Sequence, residues 1–217
     1  SVKSRGLGDV YKRQFQNFAI YQKIKLTLRA RLLKNLVLLE KKKLLLVKWS
    51  RQLINMINYL NNYFVTMFGI GYIKKIPGTV SSFVTVVFLF IYFHYFELSK
   101  NFFLFILSLI FIYSFIAVNL YIKDKANKDP KEVVVDEFIG QSIPIYLYEI
   151  SHGTDKTFNE SIYIYFVIFV LFRLFDIKKP FPVSYFDKNF KNSFGVVMDD
   201  VIAGLYVVLV LIVSMVI

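Results

Sequence analysis

The sequence predicts an all-α fold, a multi-pass membrane bundle of about four to five apolar helices. The first observation is composition: of 217 residues, 56% are hydrophobic and 18% aromatic, with a mean hydropathy of +0.52. Soluble domains are nearer half apolar and carry fewer aromatic residues. The second observation is a series of apolar runs close to the roughly 20 residues that a membrane span needs. Runs of this length without turn residues favour helices over strands.

Five apolar segments follow one another along the chain, at 79–96, 101–122, 133–148, 161–175 and 196–217. The first, second and fifth are long enough to span a membrane. The third and fourth are shorter and include charged residues. We therefore expect these two to be partly re-entrant or shielded from lipid inside the bundle.

The positive charge of the chain lies almost entirely in its first quarter. Residues 1–55 contain 14 Lys and Arg against two acids, whereas residues 56–217 contain 13 of each sign. We predict that 1–55 is a basic extension, non-native or dispensable, and that 56–217 is the membrane-embedded domain. The alternative is a basic amphipathic helix on an anionic membrane surface. Because the excess charge is confined to the extension, nucleic acid is not the expected partner.

The loop charges of the predicted domain indicate an orientation. If all five segments cross, eleven Lys and Arg fall on one side, and only Lys100 and Lys156 fall on the other. Cytoplasmic loops are enriched in Lys and Arg. The starts of the first, third and fifth segments are therefore expected at the cytoplasmic face.

Two of these starts share a spacing of acid and glycine. Asp136 precedes Gly140 by four residues, and Asp200 precedes Gly204 by four. Residues four apart lie on one helix face, and glycine in a membrane helix allows a second helix to approach closely. The pattern predicts that each acid lies one turn above a tight helix crossing and faces the bundle.

A third acid-bearing stretch, 172–182, ends the fourth segment at the same face. Its Arg173 and Asp176 are three residues apart and also share a helix face. Acids from three helices can then converge, and unpaired carboxylates so placed need a cation. The chain has no Cys, and its two histidines, His94 and His152, are expected at the opposite end. Hard oxygen ligands favour Mg²⁺, with the candidate ligands being Asp136, Glu137, Asp199 and Asp200.

A phosphate is the expected substrate group beside such a cation. Arg173, Lys178 and Lys179 can bind its other oxygens. In the stretch KKIPGTVSS (74–82), Thr79 is predicted to cap the first membrane helix, whose N-terminal N–H groups suit an anion. Gly78 permits close approach of the backbone.

Simpler interpretations stay open for each feature taken alone. Arg173 and Asp176 can be a purely structural ion pair. Asp199 and Asp200 can mark a solvated helix start, where acids are favoured by the helix dipole. The coincidence of all these features at one face favours a functional site.

Four motifs, in order, resemble those of the phosphatidylglycerophosphatase A family: FGIGYIKKIPGTVSSF, VVVDEFIGQ, FRLFDIKKPFPVSYFDKNF and GVVMDDVIAGLY. The resemblance begins near Val65, runs to the end of the chain and leaves 1–55 outside. It implies a Mg²⁺-dependent enzyme of the bacterial inner membrane that acts in phospholipid biosynthesis. It would convert phosphatidylglycerophosphate to phosphatidylglycerol and phosphate. The family's acidic motif positions correspond to Asp136, Glu137, Asp176, Asp199 and Asp200, with Arg173 and Lys179 beside them.

The sequence departs from the family pattern at a few positions outside the acids. Ser81 stands where the family usually has glycine, Asn192 and Ser193 replace a common glycine pair, and Phe181 replaces a usual tryptophan. These departures affect loop geometry and leave every acid in place.

The chemistry expected is metal-assisted hydrolysis, in which Asp136 or Glu137 activates or orients water. A covalent aspartyl-phosphate is the alternative. The Asp-Gly…Ala-Arg…Gly…Asp run of metal-dependent phosphatidyltransferases is absent from the sequence. An ion-coupled transport or structural membrane subunit is a further alternative. It would need acids near the middle of the bilayer and a second, outward-facing polar path, whereas the sequence places the polar groups at one end only.

Overall fold

The computed structural model describes residues 3–123, 125, 127, 129–151 and 158–216. His152 and Lys156, assigned from the sequence to the outer side, lie outside the described residues. The described residues form helices and no strand, which confirms the all-α class. The α-helices are α1 (Lys3–Val65), α2 (Pro77–Phe90), α3 (Lys100–Ile122), α4 (Val135–Ser151), α5 (Phe158–Lys178), α6 (Val183–Asn189) and α7 (Ser193–Val216). A 3₁₀ turn covers Ile70–Tyr72, and a π-helical turn at Ile91–Tyr95 continues α2.

The chain divides into two compact units, 1–56 and 57–217. The described part of the first unit is helical, and its side chains from residue 11 onward are almost all exposed, including Trp49 at 65%. The second unit contains the hydrophobic core. That residues 1–55 are dispensable stays a prediction.

Three described helical segments are long and apolar enough to cross a membrane: Pro77–Tyr95, Lys100–Ile122 and Ser193–Ser214. This number is a little lower than the four to five predicted, and charge explains the difference. The 17-residue α4 begins with two acids and contains Pro144. The last two turns of α5 carry Arg173, Asp176 and Lys178. The protein is a membrane protein in which α4 and α5 bring charged groups into the bundle.

Helix α4 is the centre of the second unit. Twelve of its 17 residues are buried, and it packs against α2, α3, α5 and, most extensively, α7. A helix that is buried on all sides belongs in the core of a bundle. The first turn of α4 lies beside the start of α2, because the Ser81 hydroxyl donates a hydrogen bond of 3.0 Å to the carbonyl of Val134.

Helices α4 and α7 approach most closely at two glycines. A Cβ atom on Gly140 would stand 2.8 Å from the ring of Phe172, and a Cβ atom on Gly204 would overlap the carbonyl oxygen of Gly140. Neither position has room for a side chain, so the predicted tight crossing is confirmed. The Cδ atom of Pro144 lies 3.5 Å from the position that a Cβ atom on Gly204 would occupy. Since proline has no N–H, residue 144 cannot donate the helical hydrogen bond to the carbonyl of Gly140.

Candidate active site

Three carboxylates from two helices form a group at one end of the bundle, which we call the acid cluster. Asp136 and Glu137 lie in the first turn of α4, and Asp200 lies in the second turn of α7. One carboxylate oxygen from each residue lies within 4.8 Å of the others. Asp136 is 7% exposed and Asp200 is 4% exposed. The predicted convergence of α4 and α7 therefore brings these three acids together.

The sequence also allowed Asp199 and Asp200 to be a solvated helix start, and this interpretation is wrong. Helix α7 begins at Ser193, so both acids lie beyond the first turn, and both are buried. The helix dipole acts mainly within the first turn. It therefore does not explain why two carboxylates are buried here.

The described residues form no ion pair with the three carboxylates of the acid cluster, and Arg173 is the positive charge that acts on Glu137. Asp136 and Glu137 lie on α4, outside the three membrane-spanning segments. Burial, together with the neighbouring charge of Glu137, raises the pKa of Asp136 well above its usual range. Burial also raises the pKa of Glu137 to about 7, and its Oε2 has no hydrogen-bond partner among the described residues. A bound cation would relieve both the repulsion and the lost hydration.

Asp199, the fourth predicted ligand, is paired with a lysine. Its Oδ2 lies 2.7 Å from the Nζ of Lys179, and its Oδ1 accepts a hydrogen bond of 3.0 Å from the backbone N–H of Asp200. Of the four predicted metal ligands, three therefore form the acid cluster, and the fourth is paired with Lys179 beside it.

Arg173 links Asp176, which is also on α5, to the start of α2. Its Nη1 lies 2.6 Å from Oδ2 of Asp176 and donates a hydrogen bond of 3.4 Å to the hydroxyl of Ser82. A Cβ atom on Gly78 would stand 3.4 Å from this same nitrogen and would overlap Oε1 of Glu137. Gly78 thus leaves space for Glu137 and Arg173 at the first turn of α2. The Nε of Arg173 has no partner among the described residues and can serve an added anion.

The prediction that Thr79 caps α2 is wrong. The N-cap is Ile76, at φ 49°, and Pro77 is the first helical residue. Proline is favoured at that position because its fixed φ suits the helix and its missing N–H costs nothing there. Thr79 is therefore the third helical residue, and its backbone N–H belongs to the first turn, where helices lack internal acceptors.

Lys178 is the last residue of α5 and is exposed. No ion pair of Lys178 with the candidate site is described, whereas its neighbour Lys179 pairs with Asp199. A phosphate-binding role for Lys178 stays a prediction.

Two polar residues near the acid cluster were not identified from the sequence. Gln141 is fully buried, and neither its Oε1 nor its Nε2 has a hydrogen-bond partner among the described residues. It lies four residues after Glu137, so the helix spacing that identified the acids would also have identified Gln141. Asp129 precedes α4, and its charge contributes to the raised pKa of Asp136. No sequence pattern distinguishes Asp129 from an ordinary acidic residue in a loop.

A second buried polar group lies at the other end of α4. Oε1 of Glu149 accepts a hydrogen bond of 3.0 Å from the Tyr165 hydroxyl. Lys100 lies 4.0 Å from Oε2 of Glu149, and His94 lies 3.8 Å from Oε1. Thirteen residues of helix, or about 20 Å, separate Glu149 from Asp136. The expectation that polar groups lie at one end only is therefore wrong.

Comparison with known proteins gives a consistent family. Residues 63–215 match the family described as phosphatidylglycerophosphatase A. Phosphatidylglycerophosphatase A of Haemophilus influenzae is 34% identical over 143 residues, which cover 66% of this chain and 81% of that protein. The Escherichia coli protein of the same name is 27% identical over 142 residues, 63% of this chain and 73% of that protein.

A third relative has a different name. A putative phosphatidylinositol-3-phosphatase of Bacteroides thetaiotaomicron is 44% identical over 80 residues, which cover 36% of this chain and 45% of that protein. No solved structure matches the chain.

Proposed function

This chain belongs to the phosphatidylglycerophosphatase A family and is a phosphoric monoester hydrolase, and from that premise we propose that it hydrolyses phosphatidylglycerophosphate to phosphatidylglycerol and phosphate. We assign Mg²⁺ as its cofactor and phospholipid biosynthesis as its context. The observation that carries the proposal is the acid cluster, with three carboxylates within 4.8 Å of one another beside Arg173 and the first turn of α2. Carboxylates alone would repel a phosphate, whereas carboxylates that share a cation would attract one.

The donor set of the acid cluster suits Mg²⁺. Asp136, Glu137 and Asp200 offer hard oxygen atoms and no sulfur or imidazole, and one carboxylate oxygen of Glu137 has no described partner. These three residues would hold the ion, with Asp199 as a further candidate. When bound, Mg²⁺ supplies charge that stabilises the phosphoryl oxygens in the transition state.

The protein's own groups bind the phosphate and direct water to it. The Nε of Arg173 and the first N–H groups of α2 can donate to phosphate oxygens. Lys179 neutralises Asp199 at 2.7 Å and can contribute a further donor. Asp136 or Glu137 accepts a proton from the attacking water and delivers it to the glycerol oxygen as the phosphorus–oxygen bond to glycerol breaks. A carboxylate attack that forms an aspartyl-phosphate is the alternative route.

We further propose a multi-pass position in the bacterial inner membrane, with the acid cluster at the cytoplasmic face. The excess of Lys and Arg in the loops at that end of the helices supports this orientation. The orientation does not depend on complete crossing by α4 and α5. If these two helices enter and return as a pair, α2, α3 and α7 still alternate in direction across the membrane.

An ion-coupled transport or structural subunit is the competing function. The buried Glu149 group is the observation that favours it, because buried ionisable groups then occur at both ends of α4. The family assignment favours hydrolysis. The difference between the buried polar groups at the two ends of α4 also favours it. Oε1 of Glu149 already has Tyr165 as a hydrogen-bond partner, whereas Oε2 of Glu137 in the acid cluster has no partner among the described residues.

The test is phosphate release by purified, detergent-solubilised protein. Phosphatidylglycerophosphate and phosphatidylinositol 3-phosphate would be compared as substrates, each with Mg²⁺ and with excess chelator. We expect release from phosphatidylglycerophosphate only with the divalent cation. Asp136→Asn should abolish release, and Glu97→Gln, which changes an exposed loop acid, should not. Full activity in chelator would exclude the metal assignment, and exclusive hydrolysis of the inositol lipid would exclude the substrate.

A further inference from the structure

A long apolar groove runs between α2 and α5, and we call it the α2–α5 groove. It has a volume of about 260 Å³ and is lined by side chains that include Phe83, Val87, Phe90, Ile91, Phe166 and Phe169. Several of these side chains are well exposed, such as Phe83 at 56% and Phe166 at 61%. The groove is therefore open at the side of the bundle.

One end of this groove meets the candidate active site. Phe83 directly follows Ser82, whose hydroxyl accepts a hydrogen bond from Arg173. Phe169 lies one helical turn before Arg173, and the rings of Phe83 and Phe169 are 6.0 Å apart. A molecule whose phosphate contacts Arg173 would therefore have the mouth of the groove beside it.

The other end lies deeper in the membrane. Phe83 and Ile91 are eight residues apart, which corresponds to about 12 Å along a helix. Both belong to Pro77–Tyr95, one of the three segments able to span a membrane. The groove therefore extends from the end that carries the acid cluster into the apolar part of the bundle.

We propose that one acyl chain of the phospholipid substrate lies in the α2–α5 groove while its terminal phosphate is at the acid cluster. This inference rests on the proposed function. Gly78, which touches Glu137 and Arg173, is five residues before Phe83, or about 7.5 Å along the helix. The polar glycerol phosphodiester that joins the two ends of the substrate would occupy this interval. The acyl chain then begins where the lining becomes entirely apolar.

A second apolar hollow is less suited to this role. It is lined by residues in the later turns of α4 and α7, including Leu147, Ser151, Leu211 and Ser214. These positions lie toward the end of the helices opposite Asp136 and Asp200. A chain seated there would have no continuous path to the acid cluster.

The test fills the groove with one side chain. Val87→Trp places an indole among the lining residues, and Val84→Trp is the matched control. Val84 and Val87 lie on the same helix and are 39% and 41% exposed, but Val84 is not part of the groove lining. Each variant would be assayed on phosphatidylglycerophosphate with two palmitoyl chains and with two hexanoyl chains, in micelles of one detergent. Thermal denaturation would confirm that each variant is folded.

We expect Val87→Trp to raise KM for the long-chain substrate about tenfold, because many methylene contacts are lost. Its kcat, and its KM for the short-chain substrate, should stay close to the wild-type values. Val84→Trp should change neither KM nor kcat for either substrate. If the wild type hydrolyses both substrates and the two variants behave alike, the groove proposal is wrong and the proposed function stands. If the wild type hydrolyses neither, both are wrong.

A second measurement does not depend on a variant that folds. The substrate and a phosphatidylcholine would each carry a photoreactive diazirine at the same carbon of one acyl chain. With the wild-type protein, we expect the substrate to label 83–91 and 162–169 in excess over phosphatidylcholine. Equal labelling by the two lipids would mean that the groove only contacts bulk lipid, and would overturn the proposal.

Discussion

The backbone carbonyl oxygen of Asp200 lies 2.6 Å from the point where a Cβ atom on Gly140 would stand. The same residue contributes its carboxylate to the acid cluster. Asp200 is therefore part of the tight crossing of α4 and α7 and also part of the candidate metal site. The two roles can be separated by substitutions that change only charge or only volume.

Asp200→Asn keeps the shape of the residue and removes its charge. If Asp200 holds a metal ion, activity should fall at least about 100-fold, the scale for loss of one electrostatic group in an active site. Added Mg²⁺ should restore part of it. The thermal unfolding temperature should not fall, because one fewer carboxylate reduces repulsion without metal. Near-normal turnover at low Mg²⁺ would remove Asp200 from the ligand set and leave Asp136, Glu137 and Asp199.

Gly204→Leu changes volume without changing charge. The new side chain would overlap the carbonyl of Gly140 and force α4 and α7 apart, at a cost of about 1–3 kcal/mol. Stability and activity should fall together, and added Mg²⁺ should restore neither. Ser108→Leu, at an exposed position of α3, should leave both unchanged. A stable but inactive Gly204→Leu protein would show that the crossing has more room than the structure indicates.

Gln141→Leu should raise stability and lower activity. A buried amide without hydrogen bonds costs about 1–3 kcal/mol relative to a paired one, and leucine has a similar size without that cost. The side-chain amide of Gln141 contributes to activity only if it binds water or substrate beside Glu137. Thermal denaturation and phosphate release measured on the same preparation would test both effects. A less stable Gln141→Leu protein would mean that the amide supports the core through a bound water.

A protein that begins at Met56 should insert into membranes and keep its specific activity. The excess positive charge lies in 1–55, and the described side chains of this region are almost all exposed, so its removal takes little from the core. Membrane flotation would measure insertion, and phosphate release would measure activity. An inserted but inactive protein would indicate that the basic region functions at the lipid surface.

Local spacing predicted the parts of this structure that depend on a single helix. The four-residue interval between acid and glycine correctly predicted the crossing of α4 and α7. Thr79 was misassigned because Pro77 starts α2 two residues earlier. The depth of Asp199 in α7 was missed because the helix begins at Ser193.

Contacts between distant segments could not be predicted in this way. Lys179 and Asp199 are 20 residues apart, and their pairing depends on how the chain returns after α5. The partners of Glu149 come from α3, from α5 and from the π-helical turn. No periodicity of one helix contains this information.

Pro144 gives the contact between α4 and α7 a further property. Because it has no N–H, the carbonyl of Gly140 keeps a lone pair that an uninterrupted helix would have used. That oxygen is the atom that lies against Gly204. The missing bond lies between the turns that carry the acids of α4 and the turns that follow. The position of Asp136 relative to Asp200 therefore depends on the packing of α4 against α7 more than it would in an uninterrupted helix.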